Sequence, residues 1–239
     1  MNTRWQGWRN ASRNAAATGW IELSHRLHAD LARIPLFDKP DIRRRMSMPQ
    51  DPFNLTEIHM ACHFGTHVDA PIHFIPDGPA MHEIAPDRLC GTGVVWRIEC
   101  EQYGVIDADA FECARPVVQA GDIVLLDTGW AQHVESDRYG EHPCLSVTAA
   151  QWLVDHDVKL LGVDVMTPDL AVNRRPPGFD WPVHHVLLSQ GVLIAENLMN
   201  LTSLVGQRIE VMFLALNIEG ADGAPARVVA RRATAATAE

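Results

Sequence analysis

The apolar positions of this chain come in short blocks rather than long stripes. GTGVVWRIEC (91–100), GDIVLLDTGW (121–130), VKLLGVDV (158–165), GVLIAENL (191–198) and RIEVMFLALNI (208–218) each hold a compact apolar run, which predicts strands, the later ones buried. WIELSHRL (20–27) and TEIHMACH (56–63) are shorter and β-compatible. RIPLFDKPDIRRRMSMPQDP (33–52), lying between them with four prolines, reads as loop. SVTAAQWLVDHD (146–157) stands apart, because Ala149, Leu153 and Val154 recur at helical intervals behind Ser146, a candidate N-cap. A chain that is mostly β with few helices predicts a mixed α/β fold with a β-rich core.

Composition bounds the size and partners. At 239 residues, 47% hydrophobic and 21% charged, the chain can bury one large core. We place that domain at 21–231, with an N-terminal arm at 1–20 and an alanine-rich tail at 232–239. The arm carries arginine and no acid and reads as a short helix that packs on a partner subunit through Trp5 and Trp8. A formal net charge of −10 argues against a nucleic-acid partner, since phosphate binding needs basic patches, and Arg43 to Arg45 reads as a solvated face. No stretch approaches the roughly 18 to 20 consecutive apolar residues of a membrane span, so a soluble protein without a membrane partner is expected. Five cysteines with no C-x-x-C pair indicate neither a disulfide framework nor a zinc knuckle and fit a reducing cytoplasm.

The chemistry concentrates in CHFGTHVDAPIHFIPDG (62–78), where His63, His67, Asp69 and His73 fall within eleven residues. On a straight strand His63 and His67 would stand roughly 13 Å apart, too far to share an ion. Gly65, Thr66, Val68 and Pro71 oppose a helix. A turn at Gly65 would fold His63 back toward His67, while His67 and Asp69, two apart on an extended segment, share one face. Two imidazoles and a carboxylate are a normal open shell for zinc or manganese, with His73 beside it as acid/base. The competing reading is a polar loop whose histidines are merely hydrogen-bonded.

A second cluster lies in FDWPVHHVLLSQGVLIAENL (179–198), where His184 and His185 follow Pro182 and Glu196 closes an apolar run. A buried carboxylate needs a partner, so Glu196 either meets a metal or lies at an exposed strand end.

The run HFGTHVDAPIH matches in full the H-x-G-T-H-x-D-x-P-x-H signature of the metal-dependent cyclase family, which includes bacterial kynurenine formamidases and isatin hydrolases. The chain also resembles that family in IELSHRL, LLDTGW, GVDVMTPD, PVHHVLLSQGVLIAEN and GADGAPARVVA, from about Trp20 to Arg231. The resemblance implies that His63, His67 and Asp69 bind a catalytic divalent metal and that His73 is the catalytic histidine. It implies a second ion held by His184 and Glu196, with Asp69 bridging, hence two ions per chain. It further implies a swivelling β/β/α fold and a homodimer or homotetramer whose active site is partly closed by a neighbouring subunit. The family's W-P-G-D-like stretch is here IPLFDKPD, a departure in a region that lines the substrate pocket.

These expectations combine into a metal-dependent hydrolase of an aromatic amide, with an aryl formamide such as N-formylkynurenine as substrate. The alternative within enzymes is ring opening of a cyclic amide such as isatin; the alternative outside them is a noncatalytic, metal-stabilised binding protein. Phe74, Trp130 and Trp181 are candidates to flank an aromatic ring, against the plainer reading of each as core. Asp164, Thr167 and Asp169 read as residues that fix a loop and a turn, with substrate contact as the alternative.

Overall fold

The computed structural model describes residues 19–233. Most of the expected N-terminal arm, Trp5 and Trp8 included, and nearly all of the expected tail lie outside the described residues. Within them the strands are β1 (Ile21–Glu22), β2 (Asp41–Met46), β3 (Leu55–His59), β4 (His67–Asp69), β5 (Cys90–Arg97) and β6 (Val105–Ile106). They continue with β7 (Ile123–Asp127), β8 (Cys144–Leu145), β9 (Leu160–Val163), β10 (Leu193–Glu196), β11 (Arg208–Ala215) and β12 (Gly223–Arg232). The α-helices are α1 (Ala108–Glu112), α2 (Val147–Asp155) and α3 (Pro182–Ser189). The fold is therefore α/β, rich in strands and sparing in helices, as the short apolar blocks predict.

Seven strands close on themselves in the order β12, β11, β5, β7, β9, β10, β4, because β4 pairs with β10 on one side and with the start of β12 on the other. The strand β1 lies along the later part of β12. From β5 to β10 the neighbours are parallel, and the rest pair antiparallel. Parallel strands are buried on both faces, which is why VVW and IVLL read as unbroken apolar runs. Alternate residues then feed two cores. Val95, Ile123, Leu125 and Leu160 join Val211, Phe213 and Val228 inside the closed sheet. Val94, Trp96, Val124, Leu126, Leu161 and Ile194 face outward against α2 and α3.

The helices follow from local chemistry. Ser146 Oγ accepts the Ala149 N–H at 3.0 Å, as its capping position predicts, and α2 buries Ala149, Ala150 and Leu153. Helix α3 begins at Pro182, where a missing N–H is harmless, and buries Val183, His184, Leu187 and Leu188 on one stripe.

Two expectations need correction. The proline-rich stretch 33–52 is not all loop: β2 lies inside it and pairs with β3 as a separate hairpin. That hairpin is solvent-exposed along most of its length, Arg43 to Arg45 included, so no buried alternation marks it in the sequence. The strand expected over 56–63 stops at His59, and a turn occupies the residues before Gly65.

Candidate metal centre

The register of β4 against β10 builds the centre. Glu196 stands directly opposite His67, and Ile194 opposite Asp69, so His67, Asp69 and Glu196 project from the same face of adjacent strands. Val68 and Ala195, one residue out of phase, point into the closed sheet instead. His63 arrives from the preceding turn, which Gly65 makes with φ +68°. A side chain at Gly65 would place its Cβ 2.4 Å from Leu27 Cδ2, so space and backbone both demand glycine there. Gly223, opposite Asp69 on β12, leaves room for the His63 ring, whose Cε1 would lie 2.7 Å from a Cβ. His184 comes from the first turn of α3.

The outward nitrogens of two histidines are already used. His67 Nδ1 lies 2.8 Å from Gly65 O, and His184 Nδ1 lies 2.5 Å from Asp169 Oδ2. Each Nδ1 is therefore the protonated donor, and each Nε2 presents its lone pair inward, the tautomer a metal requires. Those Nε2 atoms stand 3.2 Å from Asp69 Oδ1 and 3.4 Å from Glu196 Oε2 for His67, and 3.5 Å from Asp69 Oδ2 and 3.3 Å from Glu196 Oε1 for His184. Four corners about 2.0–2.1 Å from a tetrahedral centre are separated by about 3.3–3.4 Å, so these are the edges of a coordination shell rather than good hydrogen bonds. Among the described residues, His67 Nε2 and Asp69 Oδ2 are buried and make no hydrogen bond. Orphaned buried polar atoms are costly, and a shared cation satisfies them together.

His63 is held differently. Its Nδ1 bonds Asp69 Oδ1 at 2.8 Å, shorter than a shell edge, and its Nε2 lies 3.0 Å from Asp222 Oδ2. His73, on a 3-10 turn (Pro71–His73), stacks on the His63 ring at 3.9 Å between centroids and places Nδ1 3.4 Å from the same Asp222 oxygen. Three groups of ligand atoms thus sit close enough to hold an ion: His63, His67 and Asp69; Asp69, His184 and Glu196; and His63, His73 and Asp222.

The electrostatics describe a site short of positive charge. Burial opposes protonation of His63, yet the Asp222 and Asp69 carboxylates bonded to it push the imidazole up to about 10. Burial likewise opposes a charged His184, but Asp169, Asp69 and Glu196 hold it well above the ordinary histidine range. Asp69 stays well below the usual carboxylate range despite its burial, because His184, His63 and His67 surround it. Asp222 is also held low, first by His63 and then by His73. Protons on imidazoles here do the work that a divalent cation does when it displaces them.

All six expected ligand and catalytic residues, His63, His67, Asp69, His73, His184 and Glu196, come together, and Glu196 is buried rather than at an exposed strand end. Beside them lies a cavity of about 130 Å3 lined by Ile34, Leu36, Phe37, Phe74, Arg175 and Trp181 together with His63, His73, Thr167, His184 and Glu196. Two of the three candidate aromatics line it. The third does not: Trp130 is core, its indole N–H bonded to Tyr139 O at 3.1 Å. His185, next to His184, lies on the other side of α3's stripe, with its ring 5.3 Å from Phe74.

Sequence reasoning missed Asp222, whose GADG setting reads as a turn, and Arg175. It read Asp169 as fixing a loop or touching substrate, whereas its carboxylate accepts the Val183 and His184 N–H groups at 3.0 and 3.1 Å and fixes the His184 ring. Asp164 serves the loop after β7, taking bonds from Thr128 and Trp130. The departure IPLFDKPD supplies Ile34, Leu36 and Phe37 to the cavity, so this segment forms part of the pocket wall.

A sequence model of the family described as putative cyclase matches residues 21–170. A kynurenine formamidase of Bacillus mycoides is 28% identical over 217 residues, 89% of this chain and 97% of that protein. One of Salinibacter ruber is 29% identical over 196 residues, 79% of this chain and 85% of that protein. Among solved structures, isatin hydrolase A from Ralstonia solanacearum superimposes with a TM-score of 0.79 at 23% identity, covering 93% of this chain and 96% of its own.

Proposed function

The chain belongs to the cyclase family, and from that premise we propose a metal-dependent hydrolase that cleaves the carbon–nitrogen bond of an aryl formamide such as N-formylkynurenine. The observation that carries this reading is the pair of buried, unbonded atoms His67 Nε2 and Asp69 Oδ2, enclosed by groups whose tautomers are already set for a cation. In the proposal His63, His67 and Asp69 hold one ion, zinc or manganese, and Asp69, His184 and Glu196 hold a second. Bound there, such ions polarise an amide carbonyl and lower the pKa of a water from about 15.7 toward about 7.

The chain's own groups do the rest. Phe74 and Trp181, with centroids 5.9 Å apart, offer faces to an aromatic ring at the cavity mouth. His73, partly exposed beside the ligand cluster, takes a proton from water and delivers it to the leaving nitrogen. Asp222, 3.4 Å from His73 Nδ1, faces that side of the ring and so leaves Nε2 for the transfer. Hydrolysis adds hydroxyl to the carbonyl carbon and hydrogen to nitrogen, releasing formate and an aryl amine. The proposal includes a homodimer or homotetramer and a cytoplasmic setting, which the five free cysteines favour.

Metal analysis of the purified protein, followed by turnover of N-formylkynurenine and of isatin with that metal restored, tests the reading. About two metals per chain with formate release supports it. One metal with ring opening of isatin replaces it with the isatin reaction, and a metal-free protein inactive on both refutes it.

A further inference from the structure

Arg175 lines the cavity beside the ligand cluster, and the mechanism above gives it no task. Its Nε donates to Leu170 O at 2.7 Å, which fixes the plane of the guanidinium, and its Cζ lies 5.0 Å from the ring centres of both Phe179 and Trp181. Its Nη2 is buried and has no hydrogen-bond partner among the described residues. A guanidinium N–H left unbonded in a closed space is costly, and a planar fork held in place is suited to a carboxylate. Among the lining residues it is the permanent cation, one that a metal bound to the histidines would not displace. Apolar faces from Phe37, Phe74 and Trp181 complete the wall.

We propose that Arg175 determines specificity by binding a carboxylate carried on the aromatic amide substrate, whose ring lies against Phe74 and Trp181. The inference rests on the hydrolase reading and narrows its substrate class to anionic aryl amides. The nearest structural explanation is that Arg175 balances the Asp169 and Glu196 carboxylates that act on it and borders the buried His142, as part of the internal polar packing. That explanation predicts a loss of stability without selectivity for charge, so the two readings separate.

The test uses the metal-loaded protein with R175M and R175K. Kinetics compare 2-formamidobenzoate with the neutral formanilide. Calorimetric titration compares 2-aminobenzoate with its neutral isostere 2-aminobenzamide and requires no turnover. We expect R175M to raise KM for 2-formamidobenzoate, and Kd for 2-aminobenzoate, by about 10- to 100-fold, the worth of hydrogen bonds to a charged group. The neutral partners and kcat should be unchanged, and R175K should fall between. Equal effects on charged and neutral ligands, or a wild type that does not prefer 2-aminobenzoate, overturns the proposal even if R175M folds poorly. Selective loss of 2-aminobenzoate binding in a protein that hydrolyses neither these two amides nor N-formylkynurenine nor isatin would uphold Arg175 and sink the hydrolase reading.

Discussion

Replacing Asp169 by asparagine tests how the centre is preset. One carboxylate oxygen accepts the Val183 N–H at 3.0 Å, and the other accepts both the His184 N–H at 3.1 Å and His184 Nδ1 at 2.5 Å. Asparagine keeps the shape and one acceptor, so its amide must face at least one N–H donor. A single such conflict in this buried position costs about 1–3 kcal/mol. If the amide turns toward His184, it donates to Nδ1, and the imidazole proton moves to Nε2, the atom facing Asp69 and Glu196. Either way the lone pair aimed at the second ion is lost or weakened, and groups that orient ligating histidines are worth about 10- to 100-fold in metal affinity. Competition with a chelating dye should show one ion leaving D169N at correspondingly lower chelator while the ion beside His67 is retained. Because the readout is affinity, it is independent of the substrate. Two ions released at wild-type chelator concentrations from folded D169N would refute the account of Asp169 as the group that sets His184.

The other roles separate in the same way. Glu196→Gln should lower the metal content from about two ions per chain toward one, read by elemental analysis; an unchanged ratio would show that the second ion does not depend on Glu196. His73→Ala should keep its metals while kcat falls by about 10²- to 10⁴-fold, the usual worth of general acid/base catalysis, and near-normal turnover would remove His73 from proton transfer. Burial lowers His142 to about 4, the effect of Arg175 adding to it against a hydrogen bond to Pro143 O. A histidine depressed in the folded state binds more protons when unfolded, so its contribution is present above pH ~6.5 and lost as pH falls toward ~4. The stability of His142→Asn in denaturant melts should therefore vary less with pH than wild type across that window, and parallel curves would show that folding does not depress His142.

What the sequence makes legible is what neighbours along the chain can enforce. Gly65 and the His67–Asp69 alternation act over a few residues, so the turn and the shared face follow from spacing alone, and Ser146 caps its own helix. Glu196 was visible as a carboxylate in an apolar run, but its two readings differed only in burial, and burial is decided by β4 and β12, more than a hundred residues away in one direction and some thirty in the other. Asp222 and Arg175 carry no local abnormality: each sits among turn-forming residues, and only closure of β12 onto β4 and the path of the chain into α3 bring them to the histidines. The strand β2 was missed for the opposite reason, since strand signals depend on a buried face and it has none to show. Ligands that arise from one turn are thus readable before folding, whereas the groups that orient those ligands and select the substrate belong to the closed sheet. A substitution at Asp222 or Arg175 should accordingly leave the His67 and Asp69 geometry intact while changing what that geometry can accept, which is the distinction the charged and neutral ligand pairs measure.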